Sequence, residues 1–138
     1  MFQRIIYTSC ASEGVGLRDV YDIIRMSHNR NEKSGLTGCL LFLDGYFIQL
    51  LEGGPYAVEQ RYARILTDNR HCQIEKRLDI NTNSLLFADE WMALRDRSMV
   101  DPELLRNTVY SPGFPPERFN GEQILDFLVN CFAASQIV

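Results

Sequence analysis

Leu36-Thr37-Gly38-Cys39-Leu40-Leu41-Phe42-Leu43, Asp44-Gly45, Tyr46-Phe47-Ile48-Gln49-Leu50-Leu51: this stretch decides the fold. Two apolar runs of strand length flank Asp-Gly, the dipeptide best suited to a two-residue turn with both residues at positive φ. Neither run alternates apolar with polar, as a half-solvated strand would. The hairpin therefore reads as central and well covered. Upstream, Phe2 to Ser9 is β-branched and aromatic, with Ile5 and Tyr7 alternating against Ile6 and Thr8, a strand pattern. After the loop 11–14, Leu17, Val20, Ile23, Ile24 and Ser27 fall at helical spacing. The spacing predicts a helix over 16–28, with the polar run 28–35 as its end and a loop. Downstream, Gly53-Gly54-Pro55 breaks the chain. Val58, Tyr62, Ile65 and Leu66 predict a second helix over 56–67, with Pro55 suited to its first turn. Residues 73–81 and 90–95 are further strand candidates.

The order is βαββαββ, an α+β, ferredoxin-like arrangement with two helices on one face of a mixed sheet. Beyond residue 95 the character changes. Asp101-Pro102-Glu103 reads as a helix start, and Ser111-Pro112-Gly113-Phe114-Pro115-Pro116 as a rigid linker. Asn120 is a candidate N-cap for a helix over 121–134, where Ile124, Phe127, Leu128, Cys131 and Phe132 form an apolar stripe. These two C-terminal helices either cover the other sheet face or supply an interface. Residues 1–96 read as the core, and 97–138 as a helical cap of the same domain.

The 138 residues are 46% hydrophobic and 23% charged, which excludes a disordered or collagen-like chain. With 14 Lys plus Arg against 18 Asp plus Glu the net charge is −4, which argues against a nucleic-acid partner. Cys10, Cys39, Cys72 and Cys131 have no CxxC spacing. They read as free thiols in a reducing cytosol rather than as a disulfide framework or zinc site. No apolar run reaches the roughly 20 residues of a membrane span, and the start is no signal peptide. The expectation is a cytoplasmic single domain with no membrane contact.

Catalytic patterns are scarce in the chain. There is no GxGxxG and no P-loop, and His28 and His71 lack partners at metal-ligand spacing, so neither a metal site nor an enzyme is expected. Two polar residues inside apolar strands carry more information. In a ferredoxin-like sheet the first and third strands are neighbours, so Tyr7 and Gln49 can meet on the helix-covered face. The plainer alternative is a core Tyr and a Gln on a solvated face. Asn31, read as lying just after the first helix, either points an amide into the cleft between the helices or ends a turn. Ile23 and Ser27 share one helix face, and Ile65 faces them from the second helix. Apolar walls, an amide at one end and a Tyr–Gln pair beneath suit a flat heteroaromatic ligand.

Four stretches then make a specific pattern: Arg4-Ile5-Ile6-Tyr7-Thr8-Ser9, Asn31-x-x-x-Gly35-Leu36-Thr37-Gly38-x-Leu40, Phe47-Ile48-Gln49-x-Leu51-Glu52-Gly53 and Arg64-Ile65-x-x-Asp68-x-Arg70-His71. In order, spacing and identity they resemble the BLUF domain, the family of flavin-binding blue-light receptors. The resemblance covers about residues 2–95. It implies FAD, with FMN or riboflavin as alternatives. Tyr7 and Gln49 match the family's photoactive pair, and Asn31 the amide at the polar edge of the flavin ring. Ile23, Ser27 and Ile65 match positions lining the ring, and Phe47 one beneath it. Arg64, Asp68, Arg70 and His71 match positions toward the ring's outer edge and the ribityl-phosphate side. For Arg70 and His71 the solvated end of a helix is the alternative reading.

The chain departs from the family on the last strand. Where the family has Trp-x-Met, this chain has Glu90-Trp91-Met92-Ala93. Ungapped counting puts Met92 at the family Met and leaves Trp91 on the intervening position. With a one-residue slip Trp91 aligns instead and Ala93 takes the Met position; such a shift exchanges strand faces, so regular geometry turns only one of the two inward, and only a β-bulge would bring in both. The preferred reading has Met92 near the flavin and Trp91 outward.

The resemblance implies that Tyr7 gives an electron and then a proton by way of Gln49. The flavin ends oxidised, and Gln49 has rotated or tautomerised with its hydrogen bonds rearranged. Taking 138 residues as the chain, no covalent output domain follows, so the expected output is through a separate effector protein, from a homo-oligomer with the 121–134 helix as first candidate interface. The competing reading is a ferredoxin-like binding or assembly module without chromophore.

Overall fold

The computed structural model describes residues 1–133. In chain order it contains β1 (Phe2–Ala11), α1 (Leu17–Ser34), β2 (Thr37–Leu43), β3 (Tyr46–Gly53), α2 (Pro55–Ile65), β4 (His71–Thr82), β5 (Ala93–Asp96), a 3₁₀ turn (Arg97–Met99), α3 (Pro102–Asn107) and α4 (Gly121–Ala133). The strands form one mixed sheet in the order β4-β1-β3-β2-β5. All neighbours are antiparallel except the β2–β5 edge pair. The first four strands keep the ferredoxin-like order, and β5 is appended beside β2. At the central hairpin Asp44 and Gly45 have φ of 54° and 83°, the two positive values the turn requires.

Both faces of the sheet are covered, which is why β2 and β3 do not alternate. Ile5 and Tyr7 of β1 pack with Leu36 and with Val58 and Tyr62 of α2. Phe47, Leu40 and Leu51 pack with Val20 of α1 and with Met92. Ile6, Cys39, Leu41, Ile48 and Leu50 point the other way, against Ile124, Phe127, Leu128, Cys131 and Phe132 of α4. The α4 stripe thus lies on the sheet and is not an open interface. The expected last helical residue, Ala134, lies outside the described residues. Asn120 caps α4 as expected: its Oδ1 accepts from Gln123 N at 2.8 Å and Gln123 Oε1 accepts from Asn120 N at 2.8 Å.

Three expectations change. First, α1 continues six residues past 28 and ends at Ser34, so Asn31 is a helical residue, 1% exposed, and not a turn Asn. Polarity of one helix face does not stop a helix. The stop is Gly35, left-handed at φ 72°, whose N–H closes on Asn31 O. Second, 111–116 is not a spacer. Phe114 is 1% exposed, with ring centroids 5.0 Å from Phe119 and 4.9 Å from Phe127. From β4, Arg77 ties the chain ahead of residue 121 down, donating to Gly113 O at 3.5 Å and to Phe119 O at 2.9 Å. Third, the last strand starts at Ala93 and not at residue 90.

The connection before β5 is held by scattered bonds, most of them from side chains, instead of a ladder. Arg4 and Glu52 face each other across β1 and β3 and form an ion pair, Nε to Oε2 2.9 Å, at 5% and 0% exposure. Arg4 Nη2 donates to Ser84 O at 3.1 Å, and Phe87 N donates to Glu52 Oε1 at 2.6 Å. Gly38 N donates to Glu90 O at 3.1 Å. Gly38 must be glycine, since a Cβ there would stand 1.9 Å from Leu50 O.

Candidate functional site

A cleft opens between α1 and α2 above the middle of the sheet, with about 640 Å³ of space between its walls, the open solvent at its mouth included. Its floor follows from strand register. Tyr7 pairs directly with Gln49, and Gln49 with Leu40 on the next strand, so all three present side chains to one face. Phe47 and Leu51, two residues either side of Gln49, share that face. Ile23, Ser27 and Asn31 descend one face of α1 at four-residue spacing, and Ile65 closes the opposite wall from α2.

Within the floor the polar groups form a chain. Tyr7 OH donates to Gln49 Oε1. Gln49 Nε2 donates to Met92 Sδ at 3.5 Å. Burial pushes the Tyr7 phenol far above its ordinary value, with Asp68 a lesser cause, so at neutral pH its proton stays on the oxygen. Asn31 Nδ2 donates to Trp91 O at 2.7 Å, while Asn31 Oδ1 is buried without a partner. Such an acceptor costs about 1–3 kcal/mol unless something satisfies it.

The mouth is charged. Asp68 and Arg70 make a two-pronged pair, Nε to Oδ1 2.9 Å and Nη2 to Oδ2 2.5 Å. Arg70's hydrogen bonds hold the Asp68 carboxyl below its usual range. His71 bridges β1 to the end of α2, with Nδ1 2.7 Å from Ser9 Oγ and Nε2 2.8 Å from Ile65 O. A carbonyl only accepts, so Nε2 carries a proton and, in the neutral ring, Nδ1 accepts from Ser9. Arg30, Arg61 and Arg64 line the mouth without an ion pair among the described residues. Burial first, then the charges of Arg30 and Arg64, hold the Arg61 guanidinium below its usual value.

Every residue singled out for the ligand, Ile23, Ser27, Asn31, Phe47, Gln49, Arg64, Ile65, Asp68, Arg70 and His71, lines this one cleft, together with Tyr7. Neither Met92 nor Trp91 lines the cleft itself: Met92, 4% exposed, accepts from Gln49 through Sδ, and Trp91 presents its carbonyl to Asn31. Four lining residues escaped the sequence reading: Arg30, Leu40, Leu51 and Arg61. Leu51 was legible, being two residues from Gln49, and so was Arg61, one turn before Ile65. Leu40 needed the β2–β3 register. Arg30 was read as part of a polar loop.

Comparison with known proteins gives one answer. The profile described as BLUF, sensors of blue-light using FAD, matches residues 2–93. The blue light- and temperature-regulated antirepressor BluF of Escherichia coli (strain K12) is 28% identical over 113 residues, 82% of this chain and 28% of that protein. The chain spans between 7% and 28% of the length of the curated relatives it matches. Two solved structures match along nearly their whole length. BlrB, a BLUF protein in its dark state, is 26% identical with a TM-score of 0.78, over 97% of this chain and 96% of that one. BlsA in its photo-activated state is 27% identical with a TM-score of 0.80, over 94% and 93%. The fold, the cleft and the matched sequence agree, and the chain belongs to the BLUF family of blue-light sensors using FAD.

Proposed function

We propose that this chain is a light switch whose photoactive centre is Tyr7, Gln49 and Met92, and that it passes its signal to a separate protein. The observation that carries the reading is the continuous hydrogen-bond chain Tyr7–Gln49–Met92 on the floor of an apolar cleft. The orphaned Asn31 Oδ1 supports a flavin in that cleft, because the ring's polar edge offers the N–H it lacks. Ile23 and Ile65 would flank the ring, with Ser27 and Phe47 beside it.

A bound flavin supplies the light absorption and an excited state that accepts an electron. Tyr7 is the donor: losing an electron makes its phenol strongly acidic, and the group hydrogen-bonded to it is Gln49 Oε1. Protonation there favours rotation or tautomerisation of the amide, which exchanges its donor and acceptor ends at little volume cost, and Tyr7 then regains an electron and a proton, so that no net oxidation remains and only the amide's hydrogen bonds are rearranged. Gln49 then presents a changed partner to Met92, and Met92 begins the run into β5. Because 83–92 is held by individual bonds and not by a ladder, a change at Met92 biases that segment and the cap beyond it.

The three unpaired arginines support a flavin carrying phosphate, FAD first and FMN next, over riboflavin. Arg70, already engaged by Asp68, is less available for that role, and His71 orders the cleft wall. Residues 1–96 act as the sensor and 97–138 as its cap. The chain works as a sensor and not as an enzyme. We place it in the cytoplasm: no described helix is long and apolar enough to cross a membrane, and the four cysteines are free. Self-association, if the homo-oligomer forms, uses a surface other than the α4 stripe.

The test is Tyr7→Phe. The flavin-loaded variant is expected to keep its yellow colour and lose the reversible blue-light-induced red shift. An undiminished shift would remove Tyr7 as the donor, and a protein that takes up no flavin would favour the chromophore-free binding module.

A further inference from the structure

Two of the four cysteines face one another across the sheet. Cys10 on β1 and Cys72 on β4 are direct partners in the antiparallel register. Opposed residues in such a pair have Cα atoms about 4.5 or 5.5 Å apart, inside the roughly 4.4–6.8 Å that a disulfide spans. Their side chains leave the same face, where burial first and then the neighbouring Cys72 push the Cys10 thiol above its ordinary value. Cys72 is exposed, so a small molecule can reach it. Cys39 and Cys131 are buried in the α4-side core, at 0% and 3% exposure, and burial pushes both thiols up, that of Cys131 to about 12. They are the inert pair.

The local backbone also distinguishes the site. The β1–β4 register shifts between Thr8 and Cys10, and Gln73, next to Cys72, takes the left-handed φ of 54°. This is a bulge, where the ladder is locally interrupted, and a covalent link there would fix the backbone on both sides of it. The residues beside the cysteines, Ser9 and His71, face the cleft and hold each other at 2.7 Å. A staple at Cys10–Cys72 therefore fixes the backbone on which that corner of the cleft hangs.

We propose that Cys10 and Cys72 form a redox-active pair that is oxidised to a cross-strand disulfide by a low-molecular-weight disulfide. The exposed Cys72 thiolate attacks one sulfur of the small disulfide and expels the other as a thiolate, leaving a mixed disulfide on Cys72. Cys10 loses its proton to solvent and attacks Cys72 Sγ, expelling the second small thiolate. Two protein thiols are oxidised by two electrons, and one small disulfide is reduced to two thiols. Excess small thiol reverses both steps.

The test uses the full flavin-loaded chain incubated with glutathione disulfide, then alkylated and weighed intact without reduction. The expected product is a monomer lighter by two hydrogens before alkylation, in which two of the four cysteines are blocked and a proteolytic peptide links Cys10 to Cys72. Cys10→Ser is expected to stop at a stable glutathione adduct on Cys72, and Cys72→Ser to form neither adduct nor internal link. Wild-type protein that keeps all four thiols, accumulates the Cys72 adduct, or links only between chains would overturn the proposal.

Discussion

Glu52→Gln removes one charge from the centre of the sheet and leaves the side chain's shape nearly unchanged. Glu52 is 0% exposed and uses both oxygens, accepting from Arg4 Nε at 2.9 Å and from Phe87 N at 2.6 Å. An amide has one acceptor oxygen, so the variant keeps one of these bonds and sets its NH₂ against the other donor. Arg4, 5% exposed, is left charged without its ion-pair partner. Stranding one half of a buried pair costs about 3–5 kcal/mol, a large share of the roughly 5–15 kcal/mol that holds a domain together. With a urea slope of about 2 kcal/mol/M, the unfolding midpoint should fall by roughly 2 M with the slope unchanged. The assay is urea unfolding at equal flavin excess, followed by far-ultraviolet circular dichroism and by fluorescence. Trp91 is the single tryptophan and sits on the connection that Glu52 anchors. A loss below about 1 kcal/mol, the value of a solvated surface pair, would refute the reasoning. The paired change Arg4→Met with Glu52→Leu should recover most of the loss, because it removes the uncompensated charge instead of creating one.

Phe114→Ala should cost about 3–5 kcal/mol and lower the melting temperature by roughly 10 °C in calorimetry; no change would return 111–116 to the role of a spacer. Gly38→Ala should abolish the folded protein, since its Cβ would stand 1.9 Å from Leu50 O; a soluble variant with the parent's circular dichroism would contradict that contact. The Asp68 carboxyl is held low by Arg70, so its contribution to stability is complete above the unfolded value of about 4 and is lost as pH falls through the lowered folded value. Asp68→Asn should flatten the acid limb of a urea-midpoint-against-pH curve. The Tyr7 phenol is held high by burial, so its contribution is complete below about pH 10 and is lost as pH rises toward its folded value. Tyr7→Phe should correspondingly blunt alkaline unfolding.

What could be read without coordinates was local. Asp44-Gly45 names its own turn, Pro55 a helix start, and Asn120 a cap, because each acts through backbone geometry within a few residues. Strand order allows Tyr7 and Gln49 to meet but leaves a core Tyr and a solvated Gln equally open; the β1–β3 register and the burial of Gln49 bring the two together. The end of α1 was misread because the polar run 28–34 shows which face is solvated and not where the helix stops. Gly35 decides the stop through its φ.

The remainder depended on contacts between segments distant in sequence. Phe114 looks like part of a proline-rich spacer until the rings of Phe119 and Phe127 surround it. Arg4 and Glu52 are 48 residues apart, and nothing in either strand announces that they hold Ser84 and Phe87. Whether Met92 or Trp91 faces Gln49 turns on one residue of register in a segment without a ladder, set by bonds from Gly38, Asn31 and Glu52. The opposition of Cys10 and Cys72 follows from a bulge that composition does not reveal. By itself the sequence determined most of the elements and the ferredoxin-like order, and through its motifs the family resemblance, since propensity, turn chemistry and local spacing act along the chain. Tertiary structure alone decided which face α4 covers, how the β5 connection is clamped and which thiols meet, since those depend on register and packing between strands that sequence spacing leaves open.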